Sequence, residues 1–347
     1  MTGALRVTEI LPVKRANSLS SYEKSFSFFP YTPQFSSCVV TIGNFDGCHL
    51  GHQKLIRNNC LLGQKYSCPN VVLTFDPRPQ NYFQTTKDSK ELLPKERKTQ
   101  ALKELGVTHH YVLHFNDELN HMGHEKFYKE FLIHLLHVQA ITVGEDFHFG
   151  FKRKGNAVWL KEHGLRDNIQ VDIIPSLITD GEPVSSTRIR KLIHETGDIE
   201  SANKLLGHPY SLKGKTIRGE QMGRKIGFPT LNLEVPDHLI PSDGVYCGYV
   251  WLEGLSQTHE APIVHIDKKL LSRAVFSIGT RPTFKTQTPT LNIEAHLLDT
   301  TIKEGPHYDL NAVFYFEKKL RGMIAFRNVD ELVSQIKEDI GLAQKFL

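Results

Sequence analysis

Two histidines three residues apart, His49 and His52, stand in the stretch Gly43-Asn44-Phe45-Asp46-Gly47-Cys48-His49-Leu50-Gly51-His52. Imidazoles at that spacing can donate hydrogen bonds to phosphate oxygens. The stretch follows the β-branched run Val39-Val40-Thr41-Ile42 and leads into a helical pattern with Leu55, Ile56, Leu61 and Leu62. Strand, glycine-punctuated loop and helix bring backbone N–H groups and a helix N-terminus to a phosphate. No lysine stands where a Walker loop needs one, which excludes the ordinary P-loop.

Further segments carry related chemistry. Leu73-Thr74-Phe75-Asp76-Pro77-Arg78-Pro79 ends a strand in a rim stiffened by Pro77 and Pro79, and Val143–Gly150 ends another with Asp146 followed by two aromatics. Val184-Ser185-Ser186-Thr187-Arg188-Ile189-Arg190 opens a helix with hydroxyls and carries arginines one turn in. These groups suit triphosphate oxygens and a departing pyrophosphate, although by itself the segment reads as ordinary capping. Between Gly219 and Asn232 lie Gly223, Gly227, Arg224 and Lys225, the makings of a cationic flap that approaches phosphate; a glycine-rich hairpin is the plainer reading. Thr230 and Asn232, two apart, share a face if extended and offer hard oxygen ligands for Mg²⁺.

The positioning elements fall into two kinds. From Val39 to about Glu195, strand-like runs (71–75, 111–115, 140–143, 171–174) alternate with helical stretches: 94–105, with Pro94 at its first position, and 124–136. Alternation predicts a Rossmann-like α/β domain with a mostly parallel sheet, its ligands beyond the carboxyl ends of the strands. After Gly207, strand-like runs (245–252, 262–265, 274–277, 291–297, 311–316) follow one another, with a helix only at about 330–340. This predicts an antiparallel β-barrel with a packed C-terminal helix. In Asn292–Leu297 the period-two pattern sets Glu294 on one side with Asn292 and His296. The expected organisation is an irregular lead-in over 1–38, with Ser18–Ser37 rich in Ser, Phe and Pro, then a domain over 39–195, a linker over 196–207 and a second domain over 208–347.

Length and composition agree. The 347 residues suit two domains. Net charge of +4 fits small anionic substrates, and no Lys/Arg block argues for nucleic acid. Five cysteines form no CxxC pair and no even framework, and no stretch approaches the ~18 apolar residues of a membrane span. A reduced, cytoplasmic protein is expected, monomeric or weakly homo-oligomeric.

With these motifs in view, the chain resembles the prokaryotic bifunctional riboflavin kinase/FAD synthetases from about Val39 to Asp339. GNFDGCHLGH, VGEDFHFG and SSTRIR carry the first half of the likeness; GRKIGFPTLN, SIGTRPTF, NIEAHLLD and KKLR carry the second. The resemblance implies an adenylyltransferase domain followed by a six-stranded kinase barrel. Riboflavin and ATP would give FMN, then FMN and ATP would give FAD, with Mg²⁺ accompanying ATP. It implies that His49 and His52 contact the ATP phosphates. Asn44, Phe45, Gly51, Ser186, Thr187 and Arg190 would complete that ATP site, and Pro77, Pro79 and Asp146 would hold the flavin. In the second half it implies Glu294 as catalytic base, Thr230 and Asn232 as Mg·ATP ligands, Gly219, Gly223 and Arg224 against ATP, and Arg321 near the flavin. Three departures stand out: Arg78 where His is usual, Leu231 where Ala is usual, and Asp309 where Gly is usual.

Rival readings use fewer of these features. The 18 histidines, seven of them between His109 and His137, suggest a metal-binding or sensory protein, but Tyr128 breaks an HExxH pattern at His124. A cytidylyl- or pantetheine-phosphate-type transferase explains the first half and leaves the barrel idle. A flavin-dependent regulator on an inactive barrel conflicts with the intact Glu294, Thr230 and Asn232.

Overall fold

The computed structural model describes residues 6–10, 24–27, 35–83, 90–219, 222–281, 290–299 and 308–347. Glu220, Gln221 and the Pro282-Thr283-Phe284 part of the SIGTRPTF motif lie outside the described residues. Contacts divide the chain into two compact units, Met1–Val184 and Ser185–Leu347.

The first unit is built on a seven-stranded sheet. Its strands are β1 (Arg6–Ile10), β2 (Lys24–Ser27), β3 (Cys38–Ile42), β4 (Asn70–Asp76), β5 (His109–His114), β6 (Val138–Gly144) and β7 (Gln170–Ile174). The spatial order is β2-β1-β5-β4-β3-β6-β7, with β3 to β7 parallel and β1 and β2 antiparallel at one edge. The irregular lead-in expected over 1–38 is thus corrected: two of its segments are strands, and β1 supplies the backbone partners β5 would otherwise lack.

The parallel strands alternate faces. Cys38, Val40 and Ile42 join one core with Phe127, Phe131, Leu132 and Leu160, while Val39 packs on the other side with Leu62 and Ala140. Helices follow the strands: α1 (Leu50–Tyr66), α2 (Lys95–Glu104) and α3 (Ala157–Arg166). Pro94 is the N-cap of α2 rather than its first helical residue, being extended at ψ 158°. The helix expected over 124–136 is α-helical only to Phe127 and continues as a π-helix over Tyr128–Leu135. The order of the parallel strands reverses direction at β3, so the loops after β3, β4 and β6 open at a topological switch point.

The second unit begins with α4 (Ser186–Lys191) and α5 (Ile199–Leu206). Ile199, Ala202, Leu205 and Leu206 of α5 are buried, and Asn203 donates to the Phe316 carbonyl, so this stretch of the expected linker is part of the packed unit. The barrel comprises β8 (Tyr210–Ile217), β9 (Leu231–Leu233), β10 (Gly244–Leu252), β11 (Ser272–Arg281), β12 (Thr290–Leu297) and β13 (Asn311–Arg321), closed in the order β8-β9-β12-β11-β10-β13. Closure removes exposed sheet edges. Pro262–His265, expected as a strand, is not one: Ala261 and Ile263 are buried and the Tyr315 hydroxyl donates to the Pro262 carbonyl, so the apolar content there reflects packing outside the strand ladder. Neither the eight-residue β8 nor the three-residue β9 is among the strands expected from the sequence. The last helix, α6 (Val329–Phe346), extends beyond the expected 330–340; Asn328 caps it by accepting from the Glu331 N–H at 2.9 Å.

Candidate active sites

In the first unit the phosphate-binding candidate is the turn between β3 and α1. Phe45 and Cys48 adopt left-handed φ values of 48° and 44°, and Gly47 one of 79°. The strain is stabilised by burial, since Phe45 and Cys48 are fully enclosed. His49 caps α1, its Nδ1 accepting from the His52 N–H at 3.3 Å, which leaves Nε2 as the protonated nitrogen of a neutral ring. The two imidazoles stack with centroids 3.6 Å apart and planes 15° off parallel, and His52 leans on Phe45 at 5.1 Å. At Gly51 a Cβ would lie 3.2 Å from the His49 ring, so the glycine of HxGH makes room for the imidazole. Burial, then the neighbouring His49 and Lys98, hold the His52 pKa well below its ordinary value, so the ring is a neutral donor at pH 7. Its Nδ1 is buried without a hydrogen-bond partner among the described residues, as is Asn44 Oδ1.

The same turn is tied to the proline rim. Asn44 Nδ2 donates to Gln80 Oε1 at 3.0 Å. Arg78, between Pro77 and Pro79, is buried, its Nη1 2.9 Å from Asp46 Oδ2 and its Nε 3.2 Å from Glu91 Oε1. Asp46 Oδ1 also accepts from the N–H groups of Leu92 and Leu93. The Arg78 departure therefore joins the phosphate turn to the rim through a buried ion pair. Asp146 is exposed on the loop after β6. On β5, His110 is held between the Thr74 and Thr99 hydroxyls at 2.9 and 3.0 Å, and burial lowers its pKa to about 3.

Ser186, Thr187 and Arg190 lie in α4, whose N-cap Ser185 accepts from the Arg188 N–H at 3.3 Å; by contacts this helix groups with the barrel.

On the barrel, cross-strand register brings the kinase candidates into one row. Asn232 of β9 pairs with Glu294 of β12, Glu294 with Ser277, Ser277 with Val245, and Val245 with Arg321. Paired residues share a sheet face. Ile293, Ala295 and Leu297 are buried in the barrel, whereas Asn292, Glu294 and His296 are partly exposed on the opposite face, as the period-two pattern predicted. Leu231 and Leu233 also face the core, so the Leu231 departure points away from the face of Asn232 and Glu294. Asp309 has φ 60°, the left-handed conformation that favours glycine, and donates its N–H to the Thr216 carbonyl.

The segment before β9 folds over this face. A Cβ on Gly219 would fall 2.6 Å from both Cγ and Oδ1 of Asn232, so only glycine fits over that carboxamide. Gly223 is closed against the Phe228 carbonyl in the same way. Arg224 lies in the short helix Met222–Lys225 of this segment. Arg321 is engaged by α6, with Nε and Nη2 donating to Asp339 at 2.9 and 2.7 Å.

Thr230 and Asn232 carry the hydroxyl and amide oxygens that suit Mg²⁺, beside the Glu294 carboxylate. Among the described residues, no three His, Cys, Asp or Glu side chains form a further metal-binding group. The clustered histidines disperse: His121 stacks on Phe151, His124 meets Trp159 edge-on, and His134 lies 3.8 Å from Glu130. No described helix is long and apolar enough to cross a membrane.

Comparison with known proteins accounts for both halves. An FAD synthetase family model matches residues 32–188 and a riboflavin kinase model matches 206–347. The bifunctional riboflavin kinase/FMN adenylyltransferase of Buchnera aphidicola subsp. Schizaphis graminum is 32% identical over 312 residues, spanning 90% of this chain and 94% of its own length. That of Escherichia coli K12 is 33% identical over 310 residues, spanning 89% and 92%. A crystal structure from Streptococcus pneumoniae, named for macrolide efflux, superimposes with a TM-score of 0.78 at 29% identity, covering 90% of this chain and 95% of that one. The two matched regions, the shared length and the common fold make this chain a member of the bifunctional riboflavin kinase/FMN adenylyltransferase family, which carries riboflavin through FMN to FAD.

Proposed function

We propose that the two reactions are divided between the two matched regions: adenylyl transfer centred on His49 and His52, phosphorylation centred on Glu294. The family-model matches to residues 32–188 and 206–347 support this assignment. The carrying observation for the kinase is the register that sets Asn232 directly opposite Glu294 on one face.

Adenylyl transfer joins a phosphate oxygen of FMN to the α-phosphorus of ATP as the bond to the β-phosphate oxygen breaks and pyrophosphate leaves. FMN's phosphate is already anionic at pH 7, so the step needs placement and charge stabilisation more than a base. His49 and His52 are neutral donors to the reacting phosphate, with Asn44, Phe45, Gly51, Ser186, Thr187 and Arg190 holding ATP. Pro77, Pro79 and Asp146 hold the flavin, and the Arg78–Asp46 pair keeps that rim in register with the histidines.

For phosphorylation, Glu294 accepts the proton of riboflavin's ribityl hydroxyl as its oxygen bonds to the γ-phosphorus and ADP departs. Thr230 and Asn232 would hold Mg²⁺ with ATP; when bound, the ion offsets phosphate charge. Gly219, Gly223 and Arg224 lie against ATP, and Arg321 orients the flavin. Five unpaired cysteines, with Cys48 pushed up to about 12 by burial, fit a reducing, cytoplasmic setting.

The test is a pair of variants supplied with riboflavin, ATP and Mg²⁺, with flavins separated by chromatography. His49→Ala/His52→Ala should accumulate FMN and make no FAD, each donor contributing ~10²–10³-fold. Glu294→Gln should lose ~10²-fold in FMN formation and still convert supplied FMN to FAD. If either variant loses both activities while remaining folded, the division is wrong.

A further inference from the structure

His296 lies two residues beyond Glu294 on β12 and shares its partly exposed face. The ladder pairs Asn232 with Glu294 and Leu231 with Ala295, so the next residue pair in that register is Thr230 with His296, just beyond the end of β9. At that point the ladder has no further backbone rung, and a side chain takes over. His296 Nδ1 lies 2.9 Å from the carbonyl oxygen of Pro229. A carbonyl only accepts, so Nδ1 carries the proton and donates it. The Phe228 ring meets the same imidazole edge-on, with centroids 5.6 Å apart. Pro229 has no N–H and cannot itself donate to a neighbouring strand. The His296 bond is therefore the tether that fixes the chain immediately before Thr230.

We infer that His296 is a positioning residue for the kinase reaction, acting through the Pro229 carbonyl to hold Thr230 and Asn232 in place to receive Mg·nucleotide. This rests on the proposed reading of Thr230 and Asn232 as Mg·ATP ligands. The requirement is for a donor at the γ-branch of residue 296, not for an ionisable ring. Asparagine presents its Nδ2 at nearly the same point, whereas phenylalanine keeps the ring and its packing on Phe228 and removes the donor.

Equilibrium binding of Mg·ADP to the full chain, measured by calorimetry, tests this without relying on turnover. His296→Phe should bind Mg·ADP about five- to tenfold more weakly, the worth of one net hydrogen bond, with riboflavin KM unchanged. His296→Asn should stay within about twofold of the parent, since the bond is retained. Circular dichroism and thermal melting confirm that both variants are folded. Parent-like binding by His296→Phe would overturn the inference, as would equal losses in the Phe and Asn variants. Thr230→Ala and Asn232→Ala separate the two ideas: if they lose Mg·ADP and His296→Phe does not, only the tether is wrong. If they bind like the parent, the metal-ligand reading fails and the inference falls with it.

Discussion

The imidazole rings of His49 and His52 stack with centroids 3.6 Å apart at the start of α1, and the neighbouring His49 ring opposes protonation of His52. Burial and the nearness of His49 and Lys98 lower the His52 pKa, and burial lowers that of His110 to about 3. Both rings are neutral in the folded chain at pH values where the unfolded chain protonates them. Their contribution to stability is therefore fully present above about pH 6.5 and lost as pH falls below it, because only the unfolded state takes up these protons. His110 alone should cost about 2 kcal/mol between pH 6.5 and 5, and His52 acts in the same direction. Denaturant unfolding of the full chain at the two pH values measures the loss, and His110→Gln should flatten the slope. An unchanged slope in that variant would mean that His110 titrates normally.

Gly219 should not tolerate a side chain. Its Cβ would press on the Asn232 carboxamide, so Gly219→Ala must displace a group proposed to meet Mg·ATP. A rise of about tenfold in KM for ATP is expected in the kinase reaction, equivalent to ~1.4 kcal/mol, with the melting temperature little changed. An unaltered KM would show that Asn232 moves without consequence.

Arg321 and Asp339 form a two-pronged ion pair in which the Asp339 side chain is 4% exposed. Removing one member of such a pair strands the other. Asp339→Ala should destabilise the protein by about 3–5 kcal/mol. Asp339→Glu, which keeps the charge, should recover part of this and isolate the effect on flavin binding. With Arg321 released from its fixed orientation, riboflavin KM should rise more than the KM for ATP. Equal rises would remove Arg321 from the flavin site.

The packing of α5 sets where the kinase half can be cut. A fragment of Ser185–Leu347 keeps Ile199, Ala202, Leu205 and Leu206 against the barrel; one that starts at His208 strips them away. The longer fragment should be soluble, phosphorylate riboflavin and make no FAD. The shorter should melt lower or aggregate because it bares an apolar face. Size-exclusion chromatography and thermal melting compare them. Equal stability would mean that α5 contributes nothing to the fold.

The local order of the chain was enough to fix a good deal. Alternating apolar runs and helical stretches specified a parallel sheet, and period-two spacing around Glu294 gave its face, because side-chain alternation in a strand is a local property. The HxGH turn stood out by its spacing, and the room Gly51 leaves for the His49 ring came only with the structure. Other features depended on partners distant in sequence. Arg6–Ile10 is a strand because β5 offers it an edge to pair with, whereas the apolar residues of Pro262–His265 are buried outside the strand ladder. The meeting of Asn232 with Glu294, the burial of Arg78 on Asp46 and the grip of Asp339 on Arg321 each join residues from separate elements. Spacing along the chain carries no record of such pairs, since register and helix docking are decided only when the core closes and most buried polar groups find partners.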